Sequence, residues 1–243
     1  MQPTAIVVGV GSEEGLGAAV ARRFAKGGFH VLVGGRTVAK LEQVVHSLGP
    51  GNGTPVQLDA SKEEDVQRLF RMGASPGAGR SAASVVIFNA GNNQHIPFGE
   101  ISAAQFEEFW RVGCFAGFLV GREAAKLLLP QRQGTILFTG ASGSLRGRPG
   151  YAHFASAKAG LRMLSQSMAR EFGPQGLHVA HVVIDGGING TRLKSSRPDA
   201  VAQRGTDGLL DIDAIAETYW QLHLQHPSAW TQEMDLRPFK EPF

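Results

Sequence analysis

The chain has 243 residues, of which 42% are hydrophobic and 19% are charged, and these proportions exclude a wholly disordered protein. Its 24 Lys and Arg residues against 21 Asp and Glu give a net charge of +3, too small to indicate a nucleic-acid partner. No apolar stretch approaches the roughly 18 residues of a membrane helix. The lone cysteine, Cys114, cannot form an internal disulfide and fits a reducing cytoplasm. We therefore expect a soluble, cytoplasmic protein without nucleic-acid or membrane partners.

Short β-branched apolar runs alternate with longer helical patterns along most of the chain. The predicted strands span residues 5–9, 30–34, 55–58, 84–88, 135–139 and 178–184. The predicted helices span residues 15–26, 38–48, 63–71, 103–129, 151–172 and 212–224. Near-continuous apolar strands are typical of a parallel sheet that is covered on both faces. The pattern therefore predicts a single α/β domain over residues 1–243, with a doubly wound parallel sheet and helices on both faces.

The first predicted strand leads into a glycine-rich turn and then into an alanine-rich helix. The turn contains Gly11, Gly15 and Gly17, with Ser12 and Leu16 among them. Glycine lets the backbone turn sharply and approach a pyrophosphate, and a helix N-terminus offers free N–H groups and a positive dipole end. The turn therefore predicts a dinucleotide-binding site, and a purely structural turn is the alternative.

The second predicted strand ends at Gly34, Gly35 and Arg36. Sites that prefer NAD usually place a carboxylate there for the ribose 2′-hydroxyl, whereas an arginine suits the 2′-phosphate of NADP. Gly35 supplies no carboxylate and Arg36 supplies a guanidinium, although Glu14 in the glycine turn argues in the other direction. NADP(H) is the favoured cofactor, NAD(H) stays open, and an ordinary solvated role for Arg36 is the alternative.

Residues 189–210 are polar and weakly patterned, which is typical of a lid or a disordered loop. We interpret this segment as a substrate loop. Within residues 191–204 the single acid is Asp199, and the basic side chains are Arg192, Lys194, Arg197 and Arg204. This charge would favour an anionic substrate or help to hold cofactor phosphates, and plain solvation of the side chains is the alternative.

Further motifs follow the later strands. They are Asp59-Ala60 after the third strand, Asn89-Ala90-Gly91 after the fourth, Lys158 in the fifth helix, and Ile188 with Thr191 after the sixth strand. Together with the glycine spacing, they are similar to those of the short-chain dehydrogenase/reductase family over essentially the whole chain. The resemblance implies a Rossmann-type domain in a homodimer or homotetramer, with long helices and the closing segment 230–243 at its interfaces.

The same resemblance implies roles for individual residues in a cofactor site. Asp59 would contact the adenine amino group, and Asn89 would brace the central strand near the cofactor. Lys158 would hold the nicotinamide ribose, while Ile188 and Thr191 would face the nicotinamide amide.

The chain departs from the family pattern at three of its four catalytic positions. The family's tyrosine lies four residues before the lysine, where this chain has Phe154. Its serine aligns with Ala141 and its asparagine with Gly113. Phe154 has no proton to give to a nascent alkoxide, and general acid catalysis typically contributes about 10²–10⁴-fold. We therefore expect weak reduction of ordinary ketones with cofactor binding retained.

No other proton donor stands out near this position. Ser142 is next to Ala141 and is the candidate for substrate contact, with a plain loop serine as the alternative. Tyr151 is expected at the pocket rim and His153 is expected to be structural. His95 lies in a loop that could enter the pocket, although a lone loop histidine is usually solvated.

Two functions stay open at this point. The first is an NADP(H)-dependent oxidoreductase with an atypical site that contains Lys158 and Ser142. Its small-molecule substrate would need little proton donation, as an iminium or a conjugated system does. The second is a non-catalytic NADP(H)-binding sensor or an inactive oligomer partner, favoured by the loss of the catalytic positions.

Overall fold

A computed structural model of the chain describes residues 1–241. One seven-stranded sheet runs through it, with every neighbouring pair parallel and the strands in the order β3-β2-β1-β4-β5-β6-β7. The strands are β1 (Gln2–Val8), β2 (His30–Gly35), β3 (Gly53–Gln57), β4 (Arg80–Phe88), β5 (Gly134–Thr139), β6 (Leu177–Ile184) and β7 (Glu233–Leu236). The helices are α1 (Leu16–Lys26), α2 (Val38–Ser47), α3 (Glu63–Ala74), α4 (Ala103–Trp110), α5 (Ala116–Leu128), α6 (Ala152–Phe172), α7 (Thr191–Ser196), α8 (Pro198–Arg204) and α9 (Ile212–His223).

Two hydrophobic cores lie on opposite faces of this sheet. Successive residues of a strand point to opposite faces, so Val7 joins one core while Ile6 and Val8 join the other. Helices α1, α2 and α9 cover the first face, and α3, α5 and α6 cover the second. Every residue of β2 and β6 is buried, as the continuous apolar runs predicted. The doubly wound parallel fold predicted from the sequence is confirmed.

Three parts of the chain differ from the predicted elements. The helix predicted over residues 103–129 is interrupted by a π-helical turn at Arg111–Phe115, between α4 and α5. The segment expected to be an irregular loop at 189–210 contains the short helices α7 and α8. Residues Glu233–Leu236, which the pattern did not mark as a strand, extend the sheet as β7 beside β6. Residues 242 and 243, at the end of the segment expected at an interface, lie outside the described residues.

Within residues 1–241, no helix combines the length and the apolar character that crossing a membrane requires.

Candidate active site

The strand order reverses between β1 and β4, and in open α/β sheets such a reversal creates a crevice at the carboxyl ends of the strands. Gly9 directly follows β1 and has a φ of +93°, and a Cβ on it would lie 2.3 Å from the backbone N of Ala90. Asn89 Nδ2 donates to the Gly9 carbonyl across 3.2 Å. A Cβ on Gly17 would lie 3.0 Å from that same carbonyl oxygen. Small residues therefore let the two strand ends and α1 approach closely.

The glycine turn leaves the N-terminus of α1 available to a ligand. Gly15 is its N-cap residue, no side chain caps the helix, and its first turn contains no acidic residue. Gly11 is exposed, with nothing within 4 Å of a Cβ placed on it. The Ser12 carbonyl accepts from the Gly15 N–H at 3.0 Å, and the Leu16 side chain is buried in the core. This open turn with free helix N–H groups fits a pyrophosphate.

The end of β2 has no room for a carboxylate side chain. Gly35 is buried, and a Cβ on it would lie 2.3 Å from the carbonyl oxygen of Val10 and 3.0 Å from Leu41 Cδ2. Arg36 follows directly and is exposed, and among residues 1–241 no carboxylate pairs with its guanidinium. The charge of Arg36 is therefore free to meet an anion at this edge of the sheet.

Asp59 and Ala60 are half-buried after β3. Asp59 Oδ1 accepts from the backbone N–H of Ser61 at 3.0 Å and from its hydroxyl at 2.8 Å. The backbone N–H of Asp59 donates to Asp65 Oδ2 at 2.9 Å, and this hydrogen bond is the main cause of the lowered pKa of Asp65. These contacts fix the direction of the Asp59 carboxylate.

Lys158 is buried at the crevice edge of α6. Its Nζ donates to the Thr139 carbonyl across 2.8 Å, and a Cβ on Gly91 would lie 3.2 Å from the same Nζ. Burial lowers the pKa of Lys158 to about 8. The ammonium group therefore connects α6 to the end of β5 and reaches the turn after β4.

A cavity of about 230 Å³ opens beside the crevice, past the ends of β5 and β6. Ser142, Tyr151 and Phe154 line it, whereas Lys158 does not. The Phe154 ring packs on the Ser142 turn, since a Cβ on Gly143 would lie 2.9 Å from Phe154 Cε1. Within the described chain the Ser142 hydroxyl has no hydrogen-bond partner. A polar group of a bound molecule could therefore use that hydroxyl.

Ser144 and His181 belong to a buried network rather than to the cavity. Ser144 Oγ accepts from the Ala141 N–H at 3.1 Å and lies 3.4 Å from His181 Nε2. His181 Nδ1 is 3.0 Å from the Glu233 carboxylate, which also accepts two hydrogen bonds from Arg162. Burial is the largest influence on His181 and lowers its pKa to about 4.

The histidines considered from the sequence and the lone cysteine have structural positions. His153 is buried, with Nε2 at 3.1 Å from the Gln94 carbonyl oxygen. His95 packs edge-on against the Tyr151 ring at 5.4 Å and does not line the cavity. Cys114 is buried next to Gly160.

Helix α7 crosses the crevice from the glycine turn to the turn after β4. Thr191 donates its N–H to the Glu14 carbonyl at 3.2 Å and its hydroxyl to the Glu14 carboxylate at 3.3 Å. Arg192 donates to the carbonyls of Gly91 at 3.4 Å and Asn93 at 2.9 Å. Ile188 is anchored just before α7, where it pairs with Leu210 in an isolated parallel bridge. These contacts place Ile188 and Thr191 at the crevice.

Sequence reasoning missed Asp185, an acid that lines the cavity at the end of β6. Its side chain is 1% exposed, and its two carboxylate oxygens each accept from Arg146 Nη2 at 2.9 Å. Arg237 also donates to this carboxylate. The available signal was an acidic residue placed directly after a continuous apolar strand.

A family model described as short chain dehydrogenase matches residues 4–201. The chain belongs to this family. A crystal structure of a short-chain dehydrogenase from Rhodopseudomonas palustris is 38% identical, with a TM-score of 0.82, and covers 98% of this chain and 100% of that chain. Short-chain dehydrogenases form a family of oxidoreductases that bind NAD(P)(H).

Two curated relatives extend the comparison. The uncharacterized oxidoreductase YuxG of Bacillus subtilis (strain 168) is 31% identical over 216 residues, which are 86% of this chain and 30% of YuxG. The chain therefore spans less than a third of that relative. The 3-oxoacyl-[acyl-carrier-protein] reductase FabG of Rickettsia prowazekii (strain Madrid E) is 26% identical over 215 residues, 86% of each chain.

Proposed function

We propose that this short-chain dehydrogenase is an NADP(H)-dependent oxidoreductase of a small molecule, with an active site that lacks the family's tyrosine. The proposal is carried by one juxtaposition. An uncapped helix N-terminus, an Arg36 without an ion-pair partner in residues 1–241, and a cavity with a Ser142 hydroxyl that is free in the same residues all lie along one edge of the sheet. A dinucleotide laid along this edge would bring its reactive end to the cavity.

The residues that would hold the cofactor follow the order of the strands. The pyrophosphate would lie on the glycine turn, at residues Gly11, Ser12, Gly15, Leu16 and Gly17. Arg36 would meet the 2′-phosphate, Asp59 and Ala60 would contact the adenine, and Asn89, Ala90 and Gly91 would border the central crevice. Lys158 would hold the nicotinamide ribose, and Ile188 and Thr191 would meet the nicotinamide amide.

A reduced nicotinamide, when bound, supplies hydride-transfer chemistry. The chain itself would orient the substrate through the Ser142 hydroxyl and shield it with the Phe154 ring. Phe154 donates no proton, so the substrate would be one that needs little protein-bound acid, such as an iminium or a conjugated system protonated by water.

Titration of the purified protein with NADPH and with NADH, by calorimetry or nicotinamide fluorescence, tests the cofactor site. We expect NADPH to bind at micromolar or lower concentration and NADH to bind more weakly. Arg36→Gln should weaken NADPH binding about tenfold and leave NADH unchanged, because a charge-assisted contact to the 2′-phosphate is lost. Arg71→Gln, on the exposed surface of α3, is the matched control. Binding of neither dinucleotide would refute the proposed function.

A non-catalytic NADP(H)-binding sensor or inactive oligomer partner is the second candidate, and Phe154 at the tyrosine position favours it. NADPH oxidation with an iminium or conjugated carbonyl panel separates the two candidates. Tight NADPH binding without turnover of any of these compounds would favour the sensor. We further propose that the chain acts as a single dinucleotide-binding domain in the cytoplasm, as a homodimer or homotetramer.

A further inference from the structure

Four arginines and two carboxylates line the cavity beside Ser142. Arg146 is paired with the buried carboxylate of Asp185, and Arg204 forms an ion pair with Glu241, whose side chain is 7% exposed. Each of these two arginines therefore has a carboxylate partner within the fold, although Arg146 shares Asp185 with Arg237.

The other two arginines, Arg148 and Arg197, have no such neutralising partner. Within residues 1–241, no carboxylate forms an ion pair with either guanidinium. Among the described residues, the Arg197 side chain forms one hydrogen bond, to the Tyr151 hydroxyl at 3.2 Å. Arg148 belongs to the segment before α6 and Arg197 to the junction of α7 and α8, so the two charges reach the cavity from separate elements.

We propose that this cavity takes a small anionic substrate, whose carboxylate or phosphate binds Arg148 and Arg197. The inference rests on the proposed function, because it names the substrate class of the same site. Guanidinium groups match the oxygens of carboxylates and phosphates with paired, charge-assisted hydrogen bonds. Tyr151 orients Arg197, and the uncharged end of the substrate lies toward Ser142 and Phe154.

The size of the cavity suits a compact molecule. An engineered cavity of about 150 Å³ accommodates benzene. A volume of about 230 Å³ therefore accommodates a six-membered ring with one anionic group. Benzoate, phenyl phosphate and the neutral benzamide are consequently suitable probes, since they share the ring and differ in charge.

The test is calorimetric titration of the full chain with each probe, at low and at physiological salt. We expect at least one anion to bind about tenfold more tightly than benzamide, with the advantage reduced by salt. The tighter of benzoate and phenyl phosphate identifies the anionic group. If neither anion binds, or neither binds more tightly than benzamide, the inference is wrong.

Arg148→Gln and Arg197→Gln should each weaken binding of the preferred anion about tenfold and leave benzamide unaffected. Both side chains are exposed, so thermal unfolding should not change, and Arg71→Gln is the control outside the cavity. Anion affinity unchanged in both variants would also overturn the inference. NADPH titration of the same samples distinguishes a failure of the proposed function from a failure of the anion-site inference. A preference for anions without NADPH binding contradicts only the proposed function.

Discussion

Phe154 and Lys158 are separated by one helical turn and lie on the same face of α6. The ring lines the cavity, while the ammonium group is buried and bonded to the Thr139 carbonyl. Lys158 therefore keeps its hydrogen bond to Thr139 although no tyrosine hydroxyl is present at position 154. The side chain at position 154 differs from the family's tyrosine by a single oxygen atom, and the lysine one turn later is retained.

Phe154→Tyr tests whether that oxygen alone restores ordinary ketone reduction. We expect the substitution, alone or with Ala141→Ser, to raise NADPH-dependent reduction of simple ketones by up to about 10²–10⁴-fold, the usual contribution of a general acid. Steady-state kinetics with a ketone panel measures the change. Phe154→Leu, which fills the site without a hydroxyl, is the control. Unchanged rates with normal NADPH binding would show that the cavity geometry no longer suits a phenol.

Residues at strand ends could be placed from the sequence, because a parallel sheet gathers its carboxyl ends at one edge. Asn89 and Ser142 follow predicted strands in this way, whereas Lys158, in the fifth helix, was placed near them by the family resemblance. Such reasoning could not find the ion pairs Asp185–Arg237 or Arg204–Glu241, because each joins residues far apart in the chain through tertiary packing.

The sequence predicts one continuous helix over residues 103–129, and its pattern does not reveal the π-helical turn at Arg111–Phe115. Apolar and small residues occur on every side of this stretch, so its periodicity does not reveal one extra residue in a turn. Gly113 lies in the turn, and a Cβ there would be 2.9 Å from the Ala157 Cβ on α6. The close approach of two helices becomes visible only in three dimensions.

Strand β7 was missed for a different reason. Its four residues include two acids, which is not the composition of a buried strand. Glu233 is accommodated there because Arg162 donates two hydrogen bonds to it at 2.7 Å and His181 lies at 3.0 Å. Because these partners of Glu233 belong to α6 and β6, the sequence around β7 does not reveal them.

Exposed aromatic side chains on α4 and α5 provide a candidate face for the proposed oligomer. Phe106, Trp110 and Phe118 are each about 40% exposed, and Phe115 stacks on Trp110 at 5.8 Å. Such a patch on a helix pair is typical of a protein interface.

Size-exclusion chromatography with light scattering measures the oligomeric state of the chain directly. We expect the parent chain to be a dimer or tetramer at micromolar concentration. The double substitution Trp110→Lys with Phe118→Lys should give monomers, because it buries charge in the interface. Phe98→Lys, on a residue that is 77% exposed outside these helices, should leave the assembly unchanged. A monomeric parent chain would contradict the oligomer proposal.

Three buried histidines and the half-buried His223 connect elements across the molecule. His30 bonds to Thr54 on β3, His223 bonds to Thr135 on β5, and His178 bonds to the backbone carbonyl of residue 231. His181 links β6 to β7 through Glu233. Burial is the main cause of the lowered pKa of all four imidazoles, which belong to β2 (His30), β6 (His178 and His181) and α9 (His223).

Because these pKa values are lower in the folded than in the unfolded chain, the unfolded chain binds more protons below pH 6.5. The free energy of unfolding should therefore fall as the pH drops from about 6.5 toward 4, and urea unfolding at a series of pH values measures it. His181, with a pKa of about 4, should account for about 3 kcal/mol of this loss. His181→Gln should reduce the dependence of the unfolding free energy on pH, whereas the exposed control His46→Gln should leave it unchanged. If the unfolding free energy depends on pH equally in the two variants, His181 is solvated in the folded chain.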